Sequence, residues 1–419
     1  MKATERASRR IVFRVLSRMA LGHLELIEPD GRCFAFGRPG SDLQATITVN
    51  SPRFYRAMLA GSAGLGEAYR DGLWDTDDPV ALNRIACRNL PALDVWRRRL
   101  RPTLAPLERT LWRVPRNTKG KSQSHISAHY DLGNDLFALY LDESMMYSSA
   151  YFTDPDAGLG EAQQTRLERV CRALELGPDD HLLEIGTGWG GLAAYAASRF
   201  GCRVTTTTIS REQREGALRR IADVGVGDRV TVLLDDYRDL RGRFDKVVSI
   251  EMIEAVGWQY LDEFFHRCSD LLEPDGLFFL QAIVVDDRAY ELEKARRSFS
   301  NALIFPGGCL PSVEVIQRSI ASQTDLSTVW LDDISAHYAE TLRHWRRRFI
   351  ANYDLAAELG YDEPFRRLWT MWLAMSEAGF RERRIRDVQM LFAKPRHTPS
   401  LEETLSASER IADSGRLAD

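Results

Sequence analysis

Gly186, Gly188 and Gly191 stand two and three residues apart in the stretch 182–193, LLEIGTGWGGLA, and Glu184 places a carboxylate two residues before the first of them. Glycines so spaced let the chain take positive φ and bring bare backbone N–H groups against a flat ligand. The spacing satisfies the dinucleotide fingerprint, which keeps an NAD-dependent oxidoreductase open as one reading. That fingerprint also needs an acidic residue about 20 positions on, at the end of the second strand, to hold a ribose hydroxyl. The second strand here, residues 203–209, reads RVTTTTI and ends in threonines. S-adenosylmethionine (SAM) is therefore the better ligand for this turn. Two further strand ends carry carboxylates: Asp235 and Asp236 before Tyr237, and Glu251 and Glu254 in EMIE.

The elements that must position these residues follow from periodicity. An apolar run without helical period, closed by glycines, predicts a buried parallel strand, a tight turn and a helix. The pattern then repeats: strands at 182–186, 203–209, 229–234, 244–250 and 276–284, with helices at 189–199, 211–222 and 258–272. Such alternation predicts an α/β, doubly wound, Rossmann-like sheet with ligands at the carboxyl ends of its strands. Ahead of it, short alternating segments at 23–27, 32–36 and 45–49, parted by turn residues, predict a small N-terminal α+β domain. The expected division is 1–115 for that domain, 116–128 for a linker, 129–397 for the catalytic domain and 398–419 for a disordered polar tail.

Composition bounds the function. At 419 residues, with 44% hydrophobic and 28% charged residues, the chain has the make-up of a globular protein of two or three domains. No apolar stretch nears the roughly 20 residues a bilayer requires, and no signal peptide is visible. Six scattered cysteines suggest neither a disulfide framework nor a metal site, so a reducing cytoplasm is expected. Lys and Arg outnumber Asp and Glu by 22 to 12 in residues 1–127, whereas the remainder holds 34 against 48. With no nucleic-acid motif present, the basic third points to an anionic membrane surface, or to plain packing of a basic domain on an acidic one. A helix over 4–21, with Ile11, Val12, Val15, Leu16 and Met19 on one face and Arg6, Arg10, Arg14 and Arg18 on another, suits either reading.

Four blocks together resemble the cyclopropane-fatty-acyl-phospholipid synthases, a family of SAM-dependent methyltransferases: HYDLGNDLFALYLDESMMYSSAYF from His129; LLEIGTGWGGLA followed by TISREQ; LLDDYRDL followed by FDKVVSIEMIEAVG; and IFPGGCLPS. The resemblance covers residues 45–395. It implies a class I SAM methyltransferase domain, with Tyr147 and Ser148 closing over SAM, Gly186 and Gly188 beneath its methionine part, and Glu184 at the strand end. Thr208, Ile209 and Gln213 would contact the ribose region, and Asp236 with Tyr237 the adenine. The implied chemistry is methyl transfer to a cis alkene and loss of a proton to a bound bicarbonate, held near Ser149, Glu254, Gln281, Ile283 and Tyr338. Glu254→Gln is then expected to abolish most turnover and spare SAM affinity.

The chain also departs from the familiar bacterial pattern. Ser149 stands where a cysteine is usual and Gln281 where a histidine is usual, and Gln cannot carry a proton or a positive charge. Glu143, in the first block, is one candidate to replace the anion. The segment GSAGLGEAYRDGLWD looks like the N-terminal domain of phospholipid-acting members. The expected activity is cyclopropane formation on unsaturated phospholipids by an enzyme peripheral to the cytoplasmic face of the inner membrane, with methylene- or methyl-branched products the alternative. A non-catalytic lipid-binding protein is the third reading, and a homodimer is left open.

Overall fold

The computed structural model describes residues 1–111, 117, 133–399 and 401. The expected linker 116–128 apart from Asn117, the start of the block at His129 and most of the tail 398–419 lie outside the described residues. The chain forms two compact units: one comprises residues 1–115, 288–306 and 342–385, the other residues 116–287, 307–341 and 386–419.

In the first unit, β1 (His23–Ile27), β2 (Cys33–Gly37), β3 (Gln44–Val49) and β4 (Trp74–Thr76) form a sheet in the order β2-β1-β3-β4. Leu24 and Leu26 alternate with solvent-facing neighbours, as do Ala45, Ile47 and Val49, so one face of the sheet is apolar. Helices Arg53–Leu59 and Gly61–Arg70 follow β3, and a long helix Pro79–Leu111 follows β4. Segments from late in the chain complete this unit. Glu382 pairs with Arg84 and Arg88, Arg367 donates to the carbonyls of Tyr69 and Trp74, and Gly66 leaves space that the Phe299 ring occupies.

The N-terminal helix, Ala3–Leu16, buries a narrower stripe than the sequence pattern suggests. Val12 and Leu16 are buried, but Ile11 and Val15 are exposed. The cause is Phe13, whose ring meets those of Phe34 and Phe36 edge-on at 4.9 and 5.3 Å, with the Arg9 guanidinium over it at 3.9 Å. Arg9 is held in turn by Glu28, at 2.5 and 3.0 Å. These contacts rotate Ile11 and Val15 outward beside the exposed Arg6, Arg10, Arg14 and Arg18.

The second unit contains the expected doubly wound sheet. Its strands are β5 (His181–Ile185), β6 (Arg203–Thr207), β7 (Val230–Leu233), β8 (Phe244–Ile250), β9 (Leu272–Val285), β10 (Ser327–Asp333) and β11 (Ile385–Ala393), in the order β10-β11-β9-β8-β5-β6-β7. The five strands from β7 to β9 run parallel, and β10 pairs antiparallel with β11. Helices Gly191–Phe200 and Arg211–Val224 each end at a left-handed glycine, Gly201 and Gly225, and Ser210 caps the second by accepting from the Gln213 N–H. Leu182, Val204, Val248, Leu277 and Phe279 join Leu192, Ala196 and Ile221 in one core, each large apolar side chain contributing about 1.5–3 kcal/mol by burial. Strand order reverses between β5 and β8, which puts the crevice for a ligand at their carboxyl ends. Gly186 follows the first of these strands and Glu251 the second. Among the described residues no helix is long and apolar enough to cross a membrane.

Candidate active site

Beyond β5 the chain turns through Gly186, at φ +105°, and Gly188, at φ +51°. A Cβ at Gly188 would meet nothing within 4 Å, and one at Gly186 would touch only the Met252 side chain, at 3.3 Å. The turn therefore presents open backbone at the crevice. Beneath it Glu184 is buried, and its Oε2 accepts from Thr206 Oγ1 at 2.6 Å, which in turn lies 2.7 Å from Thr187 Oγ1. At the end of β6, Thr208 Oγ1 donates to Gln213 Oε1 at 2.8 Å, with Ile209 half-buried between them in sequence. At the end of β7, Asp236 holds Arg238 through both oxygens, at 2.7 and 2.6 Å, and the Tyr237 ring meets Phe264 edge-on at 5.4 Å. Open glycines flanked by threonine, amide, carboxylate and aromatic side chains on three adjoining strand ends fit SAM.

Burial pushes the Glu184 carboxyl up to about 8, against a weaker opposing pull from the Thr206 hydrogen bond and Arg166. Its folded value thus lies above its unfolded one, so its contribution to stability is full below the ordinary carboxylate range and is lost as pH rises through about 8. Comparison of thermal unfolding between pH 5 and 9 should show the wild type losing stability more steeply than Glu184→Gln. Parallel curves would contradict this.

The aromatic segment packs against the same turn. Tyr147 meets Phe137 at 5.1 Å, Phe137 meets Trp189 at 5.1 Å, and Trp189 Nε1 donates to Asn134 Oδ1 at 2.7 Å. Ser148 is buried; its Oγ accepts from Arg166 Nη2 at 3.1 Å and its carbonyl from Gln163 Nε2 at 2.9 Å.

Across the reversal, a polar cluster surrounds the end of β8. Glu251 Oε1 accepts from the Ser149 N–H at 2.9 Å and from Gln281 Nε2 at 2.7 Å, and Oε2 accepts from the Tyr338 hydroxyl at 2.7 Å. Gln281 Nε2 also donates to Asp387 Oδ2 at 3.1 Å, while its Oε1 accepts from Gln389 Nε2 at 3.0 Å. Glu254 Oε1 accepts from the Ile283 N–H at 2.5 Å, and its enclosed Oε2 has no hydrogen-bond partner among the described residues. Glu251 stands at φ +47°, a left-handed conformation that costs a non-glycine residue of order 1–3 kcal/mol and persists only when its surroundings hold it. Its three side-chain hydrogen bonds do so here.

Three carboxyls this close cannot all ionise. Burial raises Asp387 well above the carboxylate range, and the charges of Glu251 and Glu254 add to the effect. Burial likewise brings Glu254 to about 8, with the Glu251 charge second. Burial raises Glu251 too, opposed by the Ser149 N–H, Tyr338 and Gln281; its oxygens accept three hydrogen bonds, the arrangement that favours the charged form of a carboxylate. Arg166, fully buried, adds a positive charge nearby; its Nε and Nη1 have no partner among the described residues.

All five residues nominated for the reacting end thus meet, through Glu251 and Glu254. Glu143 does not join them: it is exposed, and its carbonyl accepts from Arg220. Sequence reasoning does not name Asp387 or Arg166 at all, and names Glu251 only as a carboxylate at a strand end. Only Glu251 left a signal, an acid three residues before Glu254 at a strand end.

Residues 117–390 match the family described as mycolic acid cyclopropane synthetase. The chain is 36% identical to the tuberculostearic acid methyltransferase of Mycobacterium tuberculosis over 389 residues, 90% of this chain and 89% of that protein. It is 37% identical to the cyclopropane-fatty-acyl-phospholipid synthase of Escherichia coli strain K12 over 356 residues, 84% of this chain and 88% of that one. Among solved structures, a mycolic acid cyclopropane synthase complexed with SAH and CTAB superposes with a TM-score of 0.61 at 29% identity, covering 65% of this chain and 98% of that one.

Proposed function

The chain belongs to the mycolic acid cyclopropane synthetase family and is a SAM-dependent methyltransferase; on that premise we propose that it methylates cis double bonds in the acyl chains of membrane phospholipids, closing a cyclopropane ring. The observation that carries this reading is the arrangement at the strand reversal, where an open glycine turn faces a hydrogen-bonded cluster of acids, an amide and a tyrosine.

When bound, SAM supplies a methyl group on a sulfonium, which a π-bond attacks without any protein nucleophile. Gly186, Gly188 and Glu184 would hold its methionine part, Thr208, Ile209 and Gln213 the ribose, and Asp236 and Tyr237 the adenine, with Tyr147 and Ser148 closing over it. The aromatic faces of Tyr147 and Tyr338 stabilise the positive charge that methylation leaves on the chain. Glu254, neutral near pH 7, offers a hydrogen-bond donor rather than a charge. A second reading, a methylene-branched product, is favoured by one observation: a fixed protein carboxylate, Glu251, holds the donors otherwise assigned to a small anion. Incubation with methyl-labelled SAM and phospholipid vesicles should put label in cis-unsaturated lipid and none in saturated lipid. Label in neither would contradict the reading.

The surface of the N-terminal helix and the turn after it supports docking on an anionic membrane, since Arg6, Arg10 and Arg14 on the helix and Arg18 just beyond it are exposed, as are Ile11 and Val15. Each cation near such a surface contributes about 1 kcal/mol, so Arg10→Glu with Arg14→Glu should weaken vesicle binding by about 30-fold or more. SAH affinity should not change. Co-sedimentation with anionic vesicles at rising salt checks this; partitioning that responds to neither salt nor charge reversal would remove the helix from the account.

A further inference from the structure

We infer that the carboxylate of Glu251 is the proton acceptor in this reaction, built into the protein where the resemblance places a bicarbonate ion. The inference rests on the methyl-transfer reading above. Of the groups that the resemblance assigns to holding the anion, the Ser149 N–H, a Gln281 Nε2–H and the Tyr338 O–H all donate to Glu251, at 2.9, 2.7 and 2.7 Å. The second hydrogen of Gln281 Nε2 goes to Asp387, and the Ile283 N–H goes to Glu254. Four of the five groups assigned to a separate anion are therefore engaged by carboxyls of the chain itself, and only Glu254 Oε2 is left without a partner among the described residues. A carboxylate presents the same planar pair of oxygens as bicarbonate, and three donors on one carboxyl select the ionised form.

The departures at Ser149 and Gln281 now acquire a reason. Ser149 contributes its backbone N–H to Glu251, while its hydroxyl turns away to the Ala150 carbonyl at 2.9 Å. A histidine at 281 has two ring nitrogens in fixed directions, whereas the glutamine amide donates twice from one nitrogen, to Glu251 and Asp387, and accepts from Gln389 at its oxygen. Glutamine thus orients a protein carboxylate without competing for the proton.

The step balances. Methyl addition forms one C–C bond and leaves positive charge on the neighbouring chain carbon. A C–H bond then breaks, its electron pair closes a ring bond or a C=C bond, and the proton passes to a Glu251 oxygen. The residue as a whole is half-buried; its proton passes to water when the product leaves, and neither an oxidant nor a reductant is required.

The test measures rate and binding on the full chain. Wild-type turnover should be the same in CO2-depleted and bicarbonate-supplemented buffer, and titration of bicarbonate into the SAH-bound protein should give no heat. E251Q should lower kcat by about 10² to 10⁴, with SAH affinity and Tm close to wild type. E251G frees the three donors, so it should bind bicarbonate calorimetrically and recover turnover with added bicarbonate or formate. Wild-type dependence on bicarbonate, or E251Q running at the wild-type rate, would overturn the inference. If the wild type methylated no unsaturated lipid, the functional reading would fail, while the bicarbonate titration would still report whether Glu251 fills the anion site.

Discussion

Glu254→Ala should lower kcat by about 10²-fold or more while leaving SAH affinity within a few-fold, and Glu254→Gln should keep most of the wild-type rate. Taken as a charged carboxylate, as the sequence suggests, Glu254 would not tolerate Gln. Burial changes that expectation, because its carboxyl is pushed up to about 8, by desolvation first and the Glu251 charge second. Near neutral pH it is a neutral group that accepts from the Ile283 N–H through Oε1 and carries its proton on the enclosed Oε2, a donor with no partner among the described residues and so available to a bound ligand. An amide offers the same acceptor and donor. Alanine offers neither and leaves the Ile283 N–H without its partner, a loss of about 1–3 kcal/mol. The sign of the pH dependence follows: the wild-type rate should fall as pH rises through about 8 and the donor is lost, and the Gln variant should not show that limb. A kcat profile from pH 6 to 9.5 for both proteins checks it, and a Gln variant as inactive as Ala would mean that ionised Glu254 is required.

The second large effect is expected at Gly191. A Cβ there would collide with Met146 Sδ and come within 2.9 Å of the Ser144 carbonyl oxygen. Methionine can shift, but a backbone carbonyl cannot without moving the segment that leads into Tyr147. Overpacking of this kind costs about 1–3 kcal/mol, which corresponds to about 5- to 150-fold in SAH affinity if the displaced segment covers the cofactor. Gly191→Val should therefore bind SAH at least about fivefold more weakly by calorimetry. Gly160→Ala, with nothing within 4 Å of the new methyl, should behave as wild type. Equal affinities for the two variants would disconnect residues 144–147 from the cofactor.

Much of this fold is legible in the sequence because local pattern and global layout agree. The strand at 181–185 is an apolar run closed by glycines, and Ser210, Gly201 and Gly225 mark helix ends where they are expected. Glu184, Gly186, Thr208, Asp236 and Glu254 lie at or just beyond the carboxyl ends of such strands, which the topology brings together, whereas Tyr147, Ser148, Ser149, Gln281, Ile283 and Tyr338 are nominated through the family resemblance. What could not be read depends on long-range packing. No local signal says that Glu251 takes φ +47° or that its carboxylate meets Ser149, 102 residues earlier, and Tyr338, 87 residues later. Asp387 comes from β11, the last strand, and reaches the cluster only because β11 lies beside β9. The helix at 3–16 misled for a related reason: periodicity finds an apolar stripe, but the aromatic contacts of Phe13 decide which part of it is buried.

Ring closure takes a proton from the newly added methyl group, whereas a 1,2-hydride shift before proton loss gives a methylene branch. A saturated methyl branch would need a further reductive step, since methyl transfer and deprotonation deliver no electrons to the chain. The most direct measurement is expression in a host that makes cis-unsaturated phospholipids but no cyclopropanes, with mass spectrometry and proton NMR of the extracted acyl chains. Extracts should contain chains heavier by one CH₂ at the expense of the cis-unsaturated pool, with ring-methylene signals for the first reading and exomethylene signals for the second. A lipid profile identical to that of the host without the protein would contradict both.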